Sequence, residues 1–91
     1  MTQMTKKSQS IAQSHSAVIF AADQPATMAR LARNGCASTR KAAELLAQIA
    51  EMHRRSDYNH AMEHQIAENA LFYLPMSEIE LLCAAYERAR G

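Results

Sequence analysis

Residues 60 to 64 read His-Ala-Met-Glu-His, an H-x-x-E-H string. Two imidazoles one helical turn apart can bind a zinc ion there while the glutamate works on the bound water. The spacing is sound, because positions i and i+4 share one face of a helix. A hydrolytic zinc also needs a third protein ligand, an open coordination position and a walled cleft. Glu68, Glu78 and Glu80 supply further carboxylates, but no pattern marks one of them, and a 91-residue chain must spend its apolar faces on packing one core. A metal-dependent enzyme at His60 to His64 is therefore only the third reading. No catalytic residue and no cofactor is assigned. His60 and His64 remain weak metal candidates, expected on the solvent side of their helix with Glu63 free to meet water.

No nucleophile is paired with a base by spacing. Cys36 lies near a helix start, where a thiolate can be stabilised, but no histidine adjoins it. With Cys83 far away in sequence, neither a zinc ribbon nor a disulfide framework is signalled, and two buried reduced thiols are expected.

The cationic residues carry more information. Arg30, Arg33, Arg40 and Lys41 fall within twelve residues that contain no acid, and Arg54 and Arg55 stand further on. Arg40 and Lys41 occupy the first turn of a predicted helix, where each opposes the macrodipole by roughly 0.3 to 1 kcal/mol. A bound phosphate or carboxylate would offset that cost. A helix, a glycine turn and a second helix with basic N-terminal residues is also how a helix-turn-helix addresses DNA. The register is poor for that fold, since counting six residues on from Gly35 puts Lys41 where an apolar residue should be buried.

The element that positions these groups is the run Thr39 to Arg55. Its apolar residues Ala42, Leu45, Leu46 and Ile49 recur at spacings of three and four, with Glu44, Gln48 and Glu51 opposite. Ser38 or Thr39 is the expected cap. His53 falls on the apolar stripe and is expected as a core-edge imidazole with one hydrogen bond. Were this helix to run straight on, Met62, Ile66, Ala70 and Tyr73 would point away from the core. A break at residues 56 to 59 is predicted instead, with Asp57 or Asn59 capping a helix over 59 to 74 that buries those four residues.

Upstream, Ile11, His15, Val18 and Ala22 recur at helical spacing, and Asp23-Gln24-Pro25 starts a short helix that Asn34-Gly35 closes in the left-handed conformation. Downstream, Pro75 stops the fourth helix. Ser77 with Glu80 forms a capping box for a last helix burying Ile79, Leu82, Cys83 and Tyr86. Residues 1 to 10 read as a mobile polar tail and 11 to 91 as one helical domain.

Composition sets the class. With two Pro and two Gly the chain lacks the turns of a β-sandwich, so the fold is all-α, a compact bundle of four or five short helices. A chain this short buries only roughly 60 to 65% of its unfolded surface, and much of its 48% hydrophobic content is alanine. Homodimerisation is the expected means of completing the core. The run from Ser16 to Ala22 is too short and too polar in its flank for a signal peptide, and no stretch approaches the ~20 apolar residues of a membrane span. A cytoplasmic location is expected.

Net charge is +1, but residues 1 to 55 hold eight Lys/Arg against three acids and residues 56 to 91 hold two against six. Such a split suits steering to a larger partner or head-to-tail self-association. The leading expectation is a small non-enzymatic regulatory or interaction protein that binds another macromolecule, most readily a protein. The alternative is a DNA-binding transcriptional regulator using the basic segment 30 to 41. The candidate binding residues for either are Arg30, Arg33, Arg40, Lys41, Arg54 and Arg55.

Overall fold

A computed structural model describes residues 13 to 57 and 59 to 91. The expected tail lies outside the described residues, as does Ile11. Among those described there are helices and no strand. They are α1, helical over 13 to 22, then α2 (Pro25–Ala32), α3 (Ala37–Arg55), α4 (His60–Tyr73) and α5 (Met76–Arg90). The third helix is central, packing on both α4 and α2. The radius of gyration, 12.9 Å, is close to the ~12 Å of a compact chain of this length.

The stripe on α3 is as its periodicity predicts, with Ala42, Leu46 and Ile49 fully buried and Leu45 packed at the edge of the core. The predicted break is also present, and its chemistry is visible. Ser56 adopts the left-handed conformation (φ 58°), Ser56 N–H donates to His53 O, and Asp57 N–H donates to Met52 O. These two bonds form a Schellman closure without a glycine. Asn59 then caps α4, its side chain accepting from Met62 N–H at 3.0 Å.

The face that α4 buries differs from the expectation. Met62 is 53% exposed and Tyr73 36%, whereas Glu63, Ala67, Ala70 and Leu74 are buried and Ile66 packs at the edge. Apolar side chains are spread almost evenly around this helix, so hydropathy alone does not choose its face. The close approach permitted by Ala67 and Ala70, and a polar partner for Glu63, choose it instead.

Helix starts depart from the expected caps as well. α3 begins at Ala37 with Cys36 as its cap, leaving Ser38 inside the first turn and Thr39 buried. Gln24 stands at the N-cap of α2 without a side-chain hydrogen bond, and Pro25 is at the first position as predicted. α5 starts at Met76 because Pro75 serves as its cap, so Ser77 and Glu80 form no capping box. Leu82 is buried in α5, with Ile79, Cys83 and Tyr86 packed against the core.

The connection from α2 to α3 holds a further correction. No glycine has positive φ, so Gly35 does not provide a left-handed stop. Arg33 ends α2 in a right-handed turn, and Asn34 Oδ1 accepts from Cys36 N–H at 2.8 Å, which organises the connection through a side chain. A Cβ built on Gly35 meets nothing within 4 Å. Replacing it should therefore restrict the unfolded chain at no native cost. Gly35→Ala is expected to raise stability by about 0.4 to 1 kcal/mol in chemical denaturation; a loss of stability would mean that the turn requires glycine.

Candidate functional site

The last turn of α3 and the first turn of α4 bring together residues that sequence spacing leaves apart. His53 Nε2 contacts Glu63 Oε2 at 2.5 Å, and His53 Nδ1 contacts Asp23 Oδ2 at 2.8 Å. Each ring nitrogen faces a carboxylate, so both donate only when the ring is an imidazolium. The hydrogen bond to Glu63, followed by the bond and charge of Asp23, raises the His53 pKa from its ordinary value against the opposing effect of burial. Asp23, in the link before α2, thus works on α3. His53 has two carboxylate partners rather than the single hydrogen bond expected, and Glu63 is 3% exposed instead of free in water.

The other three histidines lie on the same side. His60 and His64 have ring centroids 4.3 Å apart, and His15, from α1, stands edge-on to His64 at 5.9 Å. His60 is exposed as expected, while His64 is half-buried. One ligand atom from each of His60, Glu63 and His64 falls within 4.8 Å of the others. All four histidines of the chain therefore form one chain of neighbours with Glu63 and Asp23.

The basic residues are divided. Arg30 donates through Nη1 to Glu78 Oε1 and Oε2 at 2.7 and 2.9 Å, joining α2 to α5. Glu78 is buried, and its partner could not be anticipated from local spacing. Arg40 donates to the carbonyl of Asn34 at 2.7 Å, and Lys41 Nζ lies 3.8 Å from Glu44. Arg33 is exposed. Arg54 and Arg55 both engage Glu51, which lowers that carboxyl's pKa. Lys41 and Arg54 are thirteen positions and about 20 Å of helix apart, so Arg40 and Lys41 stand towards the opposite end of α3 from Arg54 and Arg55.

Cys36 stands at the basic end and is exposed, contrary to the expected buried thiol; Cys83 is half-buried, and both are free. The Cys36 thiol is lowered to about 7, first by the Ser38 hydroxyl at 3.1 Å, then by the amides of Thr39 and Ser38 and the Thr39 hydroxyl. Thr39 Oγ1 is buried and otherwise unpartnered. Seventeen residues of α3, about 25 Å at 1.5 Å each, separate this thiol from His53, so the two do not form a nucleophile and base pair.

The chain matches no family model, no curated protein and no solved structure. Its chemistry therefore rests on these residues. Iodoacetamide alkylation followed by peptide mass spectrometry is expected to modify Cys36 at a rate that rises with pH through a midpoint near about 7, because only the thiolate attacks. Ser38→Ala should move the midpoint upward. An unchanged midpoint would show that the hydroxyl does not hold the thiolate.

Proposed function

We propose that this chain is a small non-enzymatic regulatory or interaction protein that binds and modulates another macromolecule, a protein. The observation that carries the reading is an inversion of side-chain size. Of the thirteen buried hydrophobic residues among those described, seven are alanine, while Phe72 is 84% exposed, Met76 67% and Leu81 55%. These three fall within ten residues around the α4–α5 turn, where Phe72 also stacks edge-on with Tyr73. Large apolar side chains left outside a core of small ones support a surface that a partner covers. Aromatic and methionine residues are the types on which binding energy concentrates.

Charge gives the partner a character. Glu68 and Glu80 flank this corner and are exposed, so the matching surface is an apolar pocket with a basic rim. The separation of Cys36 from the histidines supports a non-enzymatic role, and the bonding of Arg30 to Glu78 takes one cation out of the basic segment. The DNA-binding reading draws on exposed Arg40 and Lys41 near the start of α3, yet Lys41 stands at the register position where a helix-turn-helix buries an apolar residue. No described helix is long and apolar enough to cross a membrane.

Affinity capture from the native host with the full chain, with and without nuclease, tests the reading. A captured protein that survives nuclease and is lost with Phe72→Asp is the expected result. Capture that depends on nucleic acid, falls steeply with salt and weakens with Arg40→Ala would transfer the function to the α2–α3 end. Sedimentation of the pure chain identifies the remaining occupant: a dimer abolished by Phe72→Asp would make a second copy the partner of this corner.

A further inference from the structure

α3 and α4 form a hairpin in which buried positions mirror one another about residue 58. Ala42 corresponds to Leu74, Leu46 to Ala70 and Ile49 to Ala67, all buried and all apolar. The next pair towards the turn is His53 with Glu63. A carboxylate here is costly for a small core, because a buried charge must be compensated by its partners, and an apolar pair would continue the seam at no such cost. Around this one polar pair stand the other histidines of the chain, on α4 and α1.

We propose that His60, Glu63 and His64, completed by His15 from α1, form a binding site for a zinc-class divalent cation. The two α4 imidazoles have the i, i+4 spacing that places them on one face. With Zn–N and Zn–O bonds of about 2.0 to 2.2 Å, donors around a tetrahedral ion stand about 3.3 Å apart. The atoms of His60, Glu63 and His64 already lie within 4.8 Å; His15 stands outside that group, its ring centre 5.9 Å from that of His64, and joins it by a side-chain rotation. A carboxylate offers about four lone-pair sites, enough to accept from His53 and also ligate a cation.

The cluster includes the outer groups that such a site needs. Glu63 is oriented by His53, and His53 by Asp23, a chain of the kind that fixes ligand geometry at zinc centres. Imidazole with a single carboxylate favours zinc, copper or nickel over calcium and magnesium, which take all-oxygen sites. Because His15 is on α1 and the others are on α4, the ion would join the N-terminal helix to the hairpin. The role is structural and regulatory, with metal occupancy setting how firmly α1 is held.

The untagged full chain, stripped with a chelator, is titrated with Zn2+ alone by calorimetry, and with Co2+ to read coordination from its visible bands. One ion per chain with a tetrahedral Co2+ spectrum and a raised melting temperature is expected. His60→Ala changes an exposed residue, so the fold is retained, which circular dichroism checks. This variant should lose stoichiometric binding, and His15→Ala should weaken it more than about tenfold. His53→Gln should weaken it by about 10- to 100-fold while keeping the tetrahedral spectrum, the size of effect typical for an outer partner. Failure of the wild-type chain to bind Zn2+ stoichiometrically, or unchanged affinity in either His60→Ala or His15→Ala, overturns the proposal.

Discussion

The contact on which the arrangement depends is the imidazole of His53 held between Asp23 and Glu63. It joins three places: the link between α1 and α2, the last turn of α3 and the first turn of α4. Glu63 is almost completely withdrawn from water, and a buried carboxylate is tolerated only when a cation and hydrogen bonds offset its lost hydration. His53 retains about a quarter of its side-chain exposure, so water screens part of the attraction and the favourable term is smaller than a fully buried pair would give. Removing one partner is the larger effect, since the other charge then remains in the seam alone. The carboxyl terminus of α3 adds to the pull on the proton, because cations are favoured at that end of a helix.

The α3–α4 hairpin shows what could be read from sequence and where hydropathy misled. The phase change beyond His53 located the break, and the structure places it at Ser56 to Asn59. The choice of Met62, Ile66, Ala70 and Tyr73 as the buried side of α4 followed hydropathy and was correct for Ala70 and in part for Ile66. Reflecting the α3 stripe about the break would have picked Glu63, Ala67, Ala70 and Leu74. Small residues and one paired acid make a closer seam than large apolar ones. Tertiary partners also place two acids, Asp23 beside His53 and Glu78 beside Arg30, neither of which leaves a local trace.

The candidate groups are distributed along the molecule as much as the charges are. The basic groups and Cys36 lie around α3, the histidines gather where α1, α3 and α4 meet, and the exposed Phe72, Met76 and Leu81 surround the α4–α5 turn. The H-x-x-E-H string was visible at the outset, and its His60 faces water as its spacing implied. Its significance depended on His15 and His53, which are distant in sequence and which only the packing of three helices brings near. The basic segment reads in the opposite way, contiguous in sequence but divided by its own partners once folded.

The state of the His53 ring tests this arrangement most directly. Nitrogen-detected NMR of the chelated, metal-free chain reports the protons on each ring nitrogen as pH rises. Because the folded-state pKa of His53 is raised, both nitrogens should stay protonated above the ordinary imidazole value of about 6.5, and Glu63→Gln should bring the transition down. Stability contributed by the contact is then fully present below that ordinary value and is lost as pH passes the raised one. A His53 ring that is neutral by pH 6.5 and indifferent to Glu63→Gln would contradict the bridge, and with it the reason Glu63 lies inside.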